Sequence, residues 1–150
     1  MGQSLVQNYM HIVFSTKNRV EMIYPPYDEK FYAYLGGICR ELDCQPLMIG
    51  GYTDHVHILC MLSKNIKLAK LVEHIKCRSS KWIKSLDVSL QNFYWQDGYG
   101  GFSVNPSQVD TVIRYIEQQH EHHNRNCFQK EYLAFLEKYK VDYDERYVWD

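Results

Sequence analysis

The chain has 150 residues, 45% of them apolar and 23% charged, with a formal net charge of −1 at neutral pH. This length suits one domain with a buried core, here residues 1–150, and the charge excludes a globally basic nucleic-acid binder. No apolar run approaches the roughly 20 residues that a membrane span needs, and Met1-Gly2-Gln3-Ser4 does not read as a secretory signal. The five cysteines lack a CxxC pair and read as the reduced thiols of a cytoplasmic protein.

In chain order, Val6 to Thr16 is rich in aromatic and β-branched residues and predicts a strand. Pro25-Pro26 marks a loop. From Asp28 to Leu42 the residues Phe31, Tyr34, Leu35, Ile38 and Leu42 follow a helical period, although Gly36-Gly37 weakens a helix there by about 1 kcal/mol per glycine. Gln45 to Tyr52 predicts a second strand, Thr53-Asp54 a turn, and His55 to Leu62 a third strand completing a hairpin. Asn65 is placed to cap a helix from Ile66 to about Ser85. Gly98-Tyr99-Gly100-Gly101 is a loop, Phe102 to Val104 a short strand, Ser107 to Asn124 a helix and Phe128 to Tyr139 a last helix. The order βαββαβ followed by helices fits an α+β fold. It is one antiparallel sheet of the ferredoxin-like or RRM-like kind, with helices on one face and additional C-terminal helices.

The chemistry concentrates at Asp54-His55-Val56-His57. Strand side chains alternate, so His55 and His57 share a face. Two imidazoles side by side form half a metal site, or two polar residues on the wet face of a sheet. The helix after the last strand carries Tyr115 and Gln119, four apart and one turn from each other. A Gln carbonyl oxygen completes two neutral imidazoles as a ligand set with open positions, suited to Mg²⁺ or Mn²⁺ and phosphate oxygens. Tyr115 is then a candidate nucleophile, and its bland reading is a half-buried helix tyrosine. His120, His122 and His123 crowd the same helix. His122 shares the Tyr115 face and is an alternative third ligand, while a solvated surface also explains the cluster.

Several blocks together resemble the HUH single-tyrosine transposases of the insertion sequence 200/605 family. His55-Val56-His57 is similar to the HUH motif, and Tyr115 followed by Gln119 to the tyrosine helix. Tyr9 to Arg19, Ile75 to Trp82, Trp95 to Val104 and Tyr143 to Trp149 resemble further family segments. The resemblance implies an enzyme that cleaves and rejoins single-stranded DNA at mobile-element ends through a 5′-phosphotyrosine. It implies metal ligation by His55, His57 and Gln119 and attack by Tyr115. It also implies hairpin-bearing DNA as partner and a homodimer with active sites sometimes assembled in trans. A domesticated relative that processes palindromes, a metal-dependent hydrolase using water, and a non-catalytic RRM-like binding module are the alternatives.

Charge is unevenly placed. Lys64 to Lys84 holds seven basic residues and one acid, Glu73, while the tail from Glu131 to Asp150 is acid-rich. Lys76, Arg78 and Lys81, then Lys17 and Arg19, are the candidate phosphate contacts.

Overall fold

The computed structural model describes residues 1–122 and 127–150. Four strands, β1 (Tyr9–Ser15), β2 (Gln45–Tyr52), β3 (His55–Met61) and β4 (Gly100–Val104), form one antiparallel sheet in the order β2-β3-β1-β4. The helices are α1 (Tyr27–Glu41), α2 (Leu68–Lys84), α3 (Val109–Glu117), the single turn α4 (Gln119–His122) and α5 (Phe128–Lys138). No described helix is long and apolar enough to cross a membrane.

The register explains which residues meet. Val13 lies opposite His57 and Ser15 opposite His55, while His11 lies between Leu59 on one side and Phe102 on the other. Alternation therefore puts His11, Val13, His55, His57, Leu59 and Phe102 on one face. Met10, Ile12, Phe14, Val56, Ile58 and Cys60 point to the other face, where α1 and α2 cover them with Phe31, Leu35, Ile38, Leu71, Val72 and Ile75. Each large apolar side chain buried there contributes roughly 1.5–3 kcal/mol of transfer free energy.

The first face is covered too. Ile116 of α3 packs on Leu59 and Val104, and Phe128, Tyr132 and Leu136 of α5 pack on Val13 and Phe102. The C-terminal helices thus form a second layer that roofs the histidine face. Gly50 of β2 allows α3 to sit close, since a Cβ there would lie 2.9 Å from Ile116 Cγ2 and 3.2 Å from the Ile116 carbonyl oxygen.

Three local expectations change. The second long helix begins at Leu68 with Lys67 as its N-cap residue, so Asn65 does not cap it. Gly36 and Gly37 sit inside an unbroken α1. The helix expected over 107–124 begins as a 3₁₀ turn at Pro106–Gln108, where the Asn105 side chain accepts from the Ser107 amide at 2.9 Å. It then breaks at Gln118 (φ −94°, ψ 15°) before α4. That break redirects Gln119 relative to the regular helical track from Tyr115.

Candidate metal and tyrosine site

His55 and His57 are fully buried, at the start of β3 and beneath α3 and α5. Asp54 Oδ1 lies 2.7 Å from His55 Nδ1. A carboxylate on one ring nitrogen fixes the tautomer and leaves Nε2 as a lone pair. That Nε2 faces Gln119 Oε1 at 3.1 Å and Glu131 Oε1 at 3.9 Å. His57 Nε2 lies 2.5 Å from the same Glu131 oxygen. Its Nδ1 is 2.8 Å from His11 Nε2, and the two rings stack with centroids 5.0 Å apart. Burial, then the neighbouring His57, holds His11 well below the ordinary histidine range, so it is a neutral ring at neutral pH.

His55, His57 and Glu131 each offer one ligand atom, all within 4.8 Å of one another. Two imidazole nitrogens, a carboxylate and the Gln119 amide oxygen therefore converge in one buried place. Such a set of acceptors suits a cation, and its mixture of nitrogen and hard oxygen donors suits Mg²⁺ or Mn²⁺ better than a closed thiolate zinc site.

Tyr115 stands beside this group. Its ring centroid is 5.6 Å from that of His57, 6.4 Å from His11 and 5.6 Å from Phe135. Burial first, and the Glu131 charge second, push its phenol above the ordinary value, while the Gln119 hydrogen bond acts the other way. Phe128 stacks on His55 at 4.7 Å and Phe135 meets His11 edge-on at 5.2 Å. These rings wall the site on the α5 side.

The structure thus brings together the four residues singled out in the sequence, His55, His57, Tyr115 and Gln119, within one chain. Glu131 and His11 join them and were not singled out, and Asp54, read in the sequence as part of the histidine stretch and its turn, joins them as the partner of the His55 ring. His120 is exposed, with its ring 5.4 Å from Tyr52. The His122 side chain and all of His123 lie outside the described residues.

The candidate phosphate contacts scatter. Lys17 and Lys81 are exposed or half-exposed, Lys17 with Asp97 at 3.8 Å. Arg19 lies over the Trp149 ring at 5.5 Å, and Arg78 pairs with Glu41 of α1 at 2.6 Å. Lys76 serves the protein itself. Its ammonium donates to the carbonyls of Gln96, Asp97 and Gly98 at 2.7, 3.1 and 2.6 Å, occupying all three of its N–H donors. It pins the 96–98 loop to α2.

Burial pushes the Lys76 ammonium down to about 8. The unfolded chain, with an ordinary lysine value near 10.4, then binds the extra proton between those two pH values. The Lys76 contribution to stability accordingly rises with pH across that window. Lys76→Met is expected to remove that rise and to lower stability at pH 7 by about 1.5–3 kcal/mol, the range for a hydrogen bond to a charged group. Urea titrations at pH 7 and pH 9.5 check both effects.

Residues 4–119 match the family model described as Transposase IS200 like. No curated protein matches the chain. Solved structures of the same fold include a Deinococcus radiodurans R1 protein assigned as a transposase. It has a TM-score of 0.63 and 18% identity, with 79% of this chain and 96% of that one covered. Another is the REP-associated tyrosine transposase bound to a REP hairpin, with a TM-score of 0.61 and 13% identity, covering 82% of this chain and 73% of that one. The family match reaches Gln119 and takes in His55, His57 and Tyr115, whereas Glu131 lies beyond it. By that match, which spans well over half of its length, the chain belongs to the IS200-like transposase family.

Proposed function

We propose that this transposase cleaves and rejoins single-stranded DNA by attack of Tyr115 on a phosphodiester. The attack leaves a 5′-phosphotyrosine and a free 3′-OH, with Mg²⁺ or Mn²⁺ bound by His55, His57, Gln119 and Glu131. The observation that carries this reading is the convergence of His55 Nε2, His57 Nε2, Gln119 Oε1 and Glu131 Oε1 beside the Tyr115 ring. A divalent ion in such a place polarises a phosphate oxygen as a Lewis acid.

The protein's own residues do the rest. Asp54 orients His55 and His11 orients His57, each through the ring nitrogen that faces away from the site. Phe128 and Phe135 exclude water from the α5 side. The Tyr115 oxygen bonds to phosphorus as the bond from phosphorus to the 3′ oxygen breaks. The phenol loses a proton, the 3′ oxygen gains one, and nothing is oxidised. The phosphotyrosine keeps the energy of the broken ester, so rejoining needs no nucleotide cofactor.

Hairpin-bearing DNA is the substrate class, an assignment supported by the REP hairpin in the related tyrosine transposase. Tyr115 and Gln119 reach the histidines of their own chain, so the reading assigns a complete site to one subunit. A homodimer would then serve to pair DNA ends. The test is incubation with single-stranded DNA carrying the hairpins that flank the protein's own gene, in Mg²⁺ or Mn²⁺. A covalent adduct on a denaturing gel, mapped to Tyr115, is the expected result. Cleavage without an adduct would favour a hydrolase.

His11 acts here as a positioning residue. His11→Ala is expected to weaken Mn²⁺ binding about 10- to 100-fold, the usual effect of removing a partner behind a metal ligand. Isothermal titration calorimetry reads this directly, without DNA.

A further inference from the structure

Tyr94 is a large aromatic side chain turned toward solvent. It is 57% exposed, although Phe93 and Trp95 on either side of it are buried in the core. Lys84, in the last turn of α2, holds its ammonium 4.2 Å from the Tyr94 ring centroid. Lys81 lies one turn earlier on α2 and is exposed, and residues three apart on a helix are neighbours. On the other side, the Lys17 amide donates to the Tyr94 carbonyl at 2.7 Å, which ties the two residues together.

This group stands at the His55 end of the sheet. Ser15 pairs with His55, the Thr16 amide donates to the Asp54 carbonyl at 2.8 Å, and Thr16 bridges to Trp95. Lys17 is two residues beyond Ser15, about 7 Å further along an extended chain. Arg19, over Trp149, adds a second cation–aromatic pair nearby in the chain. The Lys17–Asp97 pair is exposed on both sides. Exposed pairs contribute little to stability, so Lys17 is released to a phosphate at small cost.

We infer that Tyr94 is a stacking platform for an unpaired base of single-stranded DNA, with Lys17, Lys81 and Lys84 neutralising the phosphates on either side. The inference rests on the strand-transfer reading above for the identity of the nucleic acid. The chemistry requires an unpaired base, because a duplex keeps the faces of its bases inside the stack. An aromatic ring with flanking cations is the arrangement that binds single strands without reading their sequence.

The test uses full-length protein and dT15, which forms no hairpin, with fluorescence anisotropy in the absence of divalent ions. Tyr94→Ala is expected to weaken binding about 5- to 150-fold, the range for loss of one stacked base. Tyr94→Phe keeps the ring and is expected to stay within about twofold, the scatter of a surface substitution. Lys84→Ala is expected to lower the slope of log affinity against log salt by about 0.7, one single-strand phosphate. Circular dichroism confirms that each variant is folded.

Tyr94→Ala binding as well as the parent would overturn the inference. So would a Tyr94→Phe loss equal to that of Tyr94→Ala, a parent that binds no dT15, or much tighter binding of the matching uridine RNA. The covalent-adduct assay on the parent is read separately. Tyr94-dependent binding without an adduct keeps the platform and sinks strand transfer, whereas an adduct with Tyr94-independent binding does the reverse.

Discussion

Tyr115→Phe is expected to abolish the covalent protein–DNA adduct and to reduce cleavage by at least about 10⁴-fold, the order seen when the nucleophile of a covalent mechanism is removed. Hairpin binding is expected to be unchanged. The substitution removes one oxygen and keeps the ring that packs against His57, His11 and Phe135, so the fold is preserved. The phenol is not an activated group by itself, because burial and the Glu131 charge both oppose its ionisation. On the proposed reading, a cation held by Glu131 would offset that charge, so that loss of the phenol proton is opposed less. A denaturing gel with end-labelled DNA reads adduct and cleavage together. Undiminished cleavage by the Phe variant would end the tyrosine mechanism and point to water as nucleophile.

The second large effect is expected at the proposed metal ligands. His57→Ala should lose Mn²⁺ binding by more than about 100-fold, beyond the range for removing an outer partner, and lose cleavage with it. That variant also leaves the Glu131 carboxylate buried without its imidazole, a change of the kind that costs 3–5 kcal/mol, so a folding defect would confuse the result. Glu131→Gln separates the two effects. It is nearly isosteric and removes one negative charge, and it should weaken Mn²⁺ binding while the protein still melts cooperatively. The parent should gain about 2.7 kcal/mol of stability at a metal concentration one hundred times its dissociation constant, and the variant much less. Unaltered Mn²⁺ affinity in both variants would remove Glu131 and His57 from the ligand set.

Much of this site was readable before any coordinates, and the reason is local. His55 and His57 are two apart on a strand, so their shared face follows from backbone period alone, whereas the four-residue spacing of Tyr115 and Gln119 spans the helix break at Gln118, which helical period does not predict. The element order βαββαβ likewise pointed to the single antiparallel sheet that is found. What escaped reading depends on register and docking. His11 reaches His57 because β1 pairs with β3 so that Val13, not His11, lies opposite His57, and no pattern within β1 announces that offset. Asp54 looked like a turn residue, and it is one, but its carboxylate also orients the neighbouring ring.

Glu131 is the instructive omission. In the sequence it opens an acid-rich tail. Yet Phe128, Glu131 and Phe135 recur at helical spacing, which places one acid on an apolar face. A carboxylate in that position needs a buried partner, and this was the available signal. Lys76 is the converse case. Its charge and its neighbours suggested phosphate, but three carbonyls of the following loop claim it. Helical periodicity does not distinguish an outward lysine from one that folds back.

Gly50 contributes no functional group, yet the depth of the proposed nucleophile, Tyr115, is gauged there. The Ile116 carbonyl and side chain rest against the bare glycine backbone, and Tyr115 is the residue just before. The gap between the tyrosine's helix and the sheet that carries both histidines is thus set by Ile116, side chain and carbonyl alike, against a glycine that has no side chain of its own with which to adjust. In reactions that depend on near-attack geometry, a shift of about 1 Å costs about 100-fold in rate. On the strand-transfer reading proposed above, the accuracy with which Tyr115 meets a phosphorus atom is therefore a mechanical tolerance, held by a residue that offers no side chain and pairs with His57 across the sheet.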